Sequence, residues 1–277
     1  MSSIRFPRIY VEMDLSTQDT LDLQSAKAKL ENHSLATRIA TKAGMPIEVL
    51  VRKLPERFQT SLNTTVNKAL EQCLHIALSV SGDSPMFSGK NLHTSATALS
   101  GAVGGFFGLP GLLLELPVTT TIMLHSIAEI ARVQGEVLTT PESTLACLQV
   151  FALGTEGKKE EGVDSAYYAT RAALAQATRD AATHLAQNGM TKEGAPALLS
   201  FLGKVGARFG VEISEKAAAQ LLPIVGAVGG GALNVLFMHH FQQLAEGHFA
   251  VRRLERKYGA TLIHQEYQRL AARANTA

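Results

Sequence analysis

From Asp14 onward, apolar positions recur at steps of three and four, and glycine or proline interrupts them at helical lengths. This is the pattern of amphipathic helices. Leu21, Leu23, Ala26, Leu30 and Leu35 mark a first helix, capped near Ser16 or Thr17 and running toward Gly44. Met45-Pro46 restarts the chain, and proline suits a first helical position. Val49, Leu50, Leu54, Phe58, Leu62, Val66, Leu70, Leu74 and Leu78 then form one buried face, which Pro55 kinks or splits. Gly82-Asp83-Ser84-Pro85 ends that region. The motif Gly108-Leu109-Pro110-Gly111 predicts a break, followed by a helix from Leu112 to Val133 that Gly135 stops.

Thr140-Pro141-Glu142 predicts a helix start, with Thr as N-cap, Pro at the first position and an acid in the first turn. That helix runs to Leu153 and stops at Gly154. Residues 155–163 are polar, flanked by glycine and predicted to be a loop. Asp164 is expected to cap an alanine-rich helix that reaches Gln187. One or two short helices are predicted between Thr191 and Glu215, a long helix over Pro223–Lys257 and a basic amphipathic helix over Ala260–Ala274. Only Ile9, Val11 and Met13 alternate in the manner of a strand, so residues 1–15 are read as an arm with a short extended segment. The expected class is all-α, a single multi-helix domain over residues 16–277.

The pentapeptide Gly-Ala-Val-Gly-Gly occurs twice, at Gly101–Gly105 and at Gly226–Gly230. Glycine inside a helix costs about 1 kcal/mol relative to alanine. Clusters therefore point to close approach of a backbone to a helix or ligand. Gly101/Gly105, Gly104/Gly108 and Gly226/Gly230 each place small residues four apart. Both copies lie in uncharged stretches, Asn91–Leu114 and Ala217–Phe241 and beyond, which reach the roughly 20 residues that cross a hydrocarbon core. The first stretch also holds His93 and many glycines, and the second holds Gln220, Asn234, His239 and His240. Three readings stay open: a membrane span, a buried hairpin in the core, and a hairpin exposed on contact with lipid.

Hydrophobic residues make up 46% of the chain and charged residues 18%. The charged share is low for a soluble domain and favours a large core or membrane contact. A net charge of +2 and the absence of Trp leave nucleic acid unsupported as a partner. Cys73 and Cys147 lack metal-ligand spacing and read as buried thiols in a reducing compartment. The first residues lack an apolar signal core, so secretion is not expected.

Glu115 and Glu129 are the carboxylates nearest the glycine core. On one helix they would stand about 21 Å apart, too far for a paired acid and base. Glu115 near a helix start suits orphan backbone donors, and Glu129 suits an ion pair with Arg132. His125, Glu129 and His240 are the residues from which a zinc site and a metal-dependent hydrolase would be built. His239, His240 and His248 have poor mutual spacing for a shared metal, and no His-Glu-x-x-His occurs. Asn234, one turn after Gly230 in an apolar helix, is expected to bond a neighbouring helix or a ligand. No Gly-x-Ser-x-Gly elbow and no Walker loop occurs, so no catalytic residue is assigned and no cofactor is expected.

The chain resembles the EcsC family, bacterial proteins named for a gene beside an ABC transporter. The first matching block holds Gly104-Gly105, Gly108–Gly111, Glu115-Leu116-Pro117, Ile127–Ala131, Pro141-Glu142 and Leu153-Gly154. The second holds Ile224–Gly230, Asn234, Phe237, His240-Phe241 and Phe249–Glu255, so the closest likeness covers residues 101–257. Glu115 stands where many relatives carry Asp, and His125 where Arg is frequent. The resemblance implies a helical protein associated with membranes or membrane transport and no established reaction. The expected function is lipid or acyl-chain binding through a glycine-rich apolar hairpin. Gly104, Gly105, Gly108, Glu115, Glu129, Gly226, Gly229, Gly230, Asn234 and His240 are the candidate ligand residues. Arg252, Arg253, Arg256 and Lys257 would contact anionic headgroups, or would complement the end of the helix. The expected location is cytoplasmic, peripheral at the inner face of the cell membrane. The alternative is an accessory protein of a membrane transporter or secretion assembly.

Overall fold

The structure is a computed structural model that describes residues 14–31, 46–79, 108–154, 165–189, 195–221 and 230–274. Among these residues there are nine α-helices, one 3-10 turn and no strand. The all-α class follows directly from the hydrophobic periodicity. Gly104, Gly105, Gly226, Gly229, the 155–163 loop and nearly all of the N-terminal arm lie outside the described residues.

Helix α1 spans Thr17–Leu30, and its Ser16 N-cap accepts from the Asp19 N–H. Helices α2 (Ile47–Val51) and α3 (Glu56–Ser79) are separated at Pro55, which cannot continue a helix through its own missing N–H. Helix α4 spans Gly108–Val133. The expected break at 108–111 is absent: Pro110 falls in the first turn, where no intrahelical N–H bond is lost. Pro117 lies inside α4, and the hydroxyls of Thr119, Thr120 and Thr121 donate to the Glu115, Leu116 and Pro117 carbonyls around it.

Helix α5 (Pro141–Gln149) begins at the Thr140 N-cap and passes into a 3-10 turn over Val150–Ala152. Ser165 is the N-cap of α6 (Ala166–Asn188), not Asp164, because its side chain accepts from the Tyr168 N–H. The short helices expected before Glu215 are one helix, α7, over Ala195–Ala219. Helix α8 spans Gly230–Tyr258, and after Gly259, at φ 91°, α9 covers Ala260–Ala274.

The bundle is organised around α4, α7 and α8. Helix α3 packs on α4 and α7, α1 and α9 cover α8, and α6 covers α7. The 3-10 turn is a wedge between α7 and α8. Its Phe151 ring lies 4.8 Å from Phe209 and 5.5 Å from Phe241, and those two rings are 5.6 Å apart. Offset and edge contacts of this kind add to the burial of the rings themselves. Cys73 and Cys147 are buried thiols, and burial pushes each up to about 12.

Candidate functional site

Side chains bridge α7 and α8 in antiparallel register. Phe209 meets Phe241, Glu212 approaches His240 at 3.9 Å, and the Lys216 ammonium stands 4.9 Å from the Phe237 ring centre. These pairs place the C-terminal end of α7 beside the N-terminal end of α8. The Glu115 carboxylate of α4 closes the group, with Oε1 3.3 Å from Lys216 Nζ. The Lys216 and Glu115 side chains are 2% and 6% exposed. Burial lowers the Lys216 pKa, and the Glu115 charge opposes that shift. Glu115 therefore does not serve a helix start: it lies in the third turn of α4 and holds that helix against α7.

Asn234 is 1% exposed, and neither its Nδ2 nor its Oδ1 has a hydrogen-bond partner. The Oε1 of Gln220, one turn beyond Lys216, is likewise buried without a partner. Gln220 follows the last residue of α7, and Asn234 lies in the second turn of α8. Backbone bonds from the Gln220 N–H to the Lys216 and Ala217 carbonyls carry the helical path that far. Deeper in the bundle, Gln242 Nε2 donates to the Ser126 hydroxyl at 2.9 Å.

Gly154 follows the 3-10 wedge and sits against the Glu212–His240 pair. A Cβ there would lie 2.8 Å from Glu212 Oε1 and 3.0 Å from His240 Nε2. Only glycine lets the chain pass this close. His240 is thus placed with Glu212 and Gly154, not with Glu129. Glu129 lines a separate cleft with Asp22, Lys29 and Arg253. Among the described residues, no three His, Cys, Asp or Glu side chains come together as metal ligands would. His248 is fully buried, with Nδ1 3.1 Å from the Tyr167 hydroxyl.

The four cations late in α8 meet carboxylates of the bundle. Arg252 and Arg256 pair with Glu136, Arg253 with Asp22 and Lys257 with Asp19. From Asn234 to Arg252 the helix rises about 27 Å, so these cations stand at the far end of α8. Gly108 and Gly230 are the first residues of α4 and α8.

The sequence reasoning missed Lys216, Glu212 and Gln220. The signal was present: Glu212, Lys216 and Gln220 recur every fourth position, the first two on α7 and the third just past its end, and Phe209, Ile213 and Ala217 flank them on its buried side. Treating residues 191–215 as short helices concealed that row.

Fold and site together define an all-α bundle protein whose three central helices converge on a buried polar cluster at one end. Residues 18–254 match the EcsC protein family, and the chain belongs to that family. No curated protein and no solved structure gives a match.

Proposed function

We propose that this EcsC protein is a membrane-associated protein that binds lipid or an acyl chain at the Glu115–Lys216–Asn234 end of the bundle, peripherally at the inner face of the cell membrane. The observation that carries this reading is convergence. The start of α4, the end of α7 and the start of α8 meet there. Both glycine pentapeptides adjoin these helix ends in sequence, one just before α4 and the other leading into α8. Leu114, Val118, Leu221 and Leu236 are exposed on the same helix ends, Leu114 at 79%. Exposed apolar side chains on the helices that carry the polar cluster suit an interaction with lipid. Helix α4 adds support, since it is long and apolar enough by length and composition to cross a membrane, although 56% of its apolar window is buried in the bundle.

The reading rests on the apolar end; at the basic end of α8 the four cations pair with carboxylates of the bundle. Flotation of the purified chain with liposomes tests the proposal. Association that survives high salt is expected, since apolar contact is not screened. Flotation abolished by salt, or absent with both anionic and neutral vesicles, would overturn it.

A further inference from the structure

A cleft of about 740 Å³ is walled by α2 and α3 and floored by α7, and it shares no lining residue with the Glu115–Lys216–Asn234 site. Asn63 and Asn67 of α3 line it one helical turn apart, and both are exposed. Two glycines of α7 fix how these side chains lie. A Cβ on Gly206 would collide with Asn67 Oδ1, and one on Gly210 would fall 3.3 Å from Asn63 Oδ1. The carboxamide oxygens therefore rest against α7, and the Nδ2 donors are left for the cleft. Asn63 and Asn67 lie inside the described segment 46–79, and the two glycines inside 195–221.

The spacing of the two donors selects a ligand. Positions four apart on a helix are separated by about 6 Å along its axis. In an extended chain the carbonyls of alternate residues point the same way and recur at roughly 6.6 Å. An extended peptide lying along the cleft thus offers one carbonyl to each Asn, whatever its side chains. A helical ligand does not, because its carbonyls are spent on its own N–H groups. An acyl chain has no acceptors at this interval. The floor lets a backbone come close: Gly203 lines the cleft, and a Cβ there meets nothing within 4 Å. At the rim, Glu48 and Glu215 stand against the single Arg52. That balance favours a basic segment.

We infer that this cleft binds an extended, basic peptide segment of a partner protein, with Asn63 and Asn67 bonding its backbone carbonyls, independently of lipid at the other site.

The test is selection of a phage-displayed library of random twelve-residue peptides on the purified full chain, followed by equilibrium binding of the enriched sequences as synthetic peptides. Enriched peptides are expected to carry Lys or Arg. They are expected to bind wild-type protein at least roughly tenfold more tightly than Asn63→Ala/Asn67→Ala, about the worth of two hydrogen bonds exchanged with water. Gly203→Leu places a side chain in the open floor without a clash in the fold. It is expected to abolish binding while its Tm stays at or above that of wild type. Selection that enriches no peptide or enriches acidic ones overturns the assignment, as do enriched peptides that bind either variant as tightly as wild type.

Discussion

Glu136 follows the turn at Gly135, whose φ of 81° favours glycine, and enters a nest of donors. Ser143 donates to it at 2.7 Å, Arg252 bonds it through two nitrogens, and Arg256 adds a further contact. Burial pushes its carboxyl pKa up, but the bonds from Arg252 and Ser143 and the two arginine charges outweigh that and hold it at about 2. Its folded value is below the ordinary 4.5, so its stabilising contribution is complete above pH 4.5 and is lost as pH falls toward about 2. His248 gives a second window. Burial, then the Arg171 and Arg252 charges, hold its pKa well below 6.5, so the fold keeps it neutral and loses stability as pH drops below 6.5. Thermal melts across acid pH should therefore show Tm falling in two stages, and Glu136→Gln should flatten the lower one. A lower stage of unchanged slope in that variant would show that other carboxylates carry the acid sensitivity. The sequence singles out His248 only as an imidazole poorly spaced for a metal and does not single out Glu136, because a turn glutamate and a helical histidine look ordinary until the tertiary partners are known.

At the scale of elements, caps and breakers were legible where they act locally. Ser16, Thr140 and Pro55 mark boundaries through their own hydrogen-bonding capacity, and the structure places helix ends at all three. Helix α7 was misread because Gly203, Gly206 and Gly210 look like punctuation. They are instead packing positions or open helix surface. A Cβ on Gly206 would fall 2.4 Å from Asn67 Oδ1, so α3 lies tightly across α7, while a Cβ on Gly203 meets nothing within 4 Å. Tertiary contact thus offsets a propensity that would otherwise end the helix. The difference predicts opposite outcomes for one substitution type. Gly203→Ala should stabilise by up to about 1 kcal/mol through backbone entropy alone. Gly247→Ala should destabilise by about 1–3 kcal/mol. Its Cβ would fall 2.7 Å from Leu30 Cγ and 2.9 Å from the Ala26 carbonyl, forcing α1 away from α8. Chemical denaturation of the two variants measures both signs, and equal effects would refute this account of the glycines.

Over the whole molecule, charge and apolar surface separate along α8. The N-terminal end carries Asn234 and the exposed Leu236, and the C-terminal end carries Arg252, Arg253, Arg256 and Lys257, each tied to a carboxylate. In sequence both ends looked suited to a membrane, one by its glycines and one by its cations. Only the tertiary pairing distinguishes a cation that neutralises Asp19 or Glu136 from one that faces anionic lipid. The two ends therefore predict distinct behaviour in variants. Leu114→Glu with Val118→Glu places charge on exposed positions, so the fold should persist while salt-resistant liposome association falls roughly tenfold or more, as charge transferred toward hydrocarbon is costly. Arg256→Gln with Lys257→Gln should leave that association unchanged and lower Tm instead, because it removes partners of Glu136 and Asp19. Flotation and melting of both variants separate the alternatives. If the basic pair governs flotation while the leucine and valine changes leave it intact, the membrane-facing end of this protein is the opposite one, and the ion pairs along α8 must open for lipid to bind.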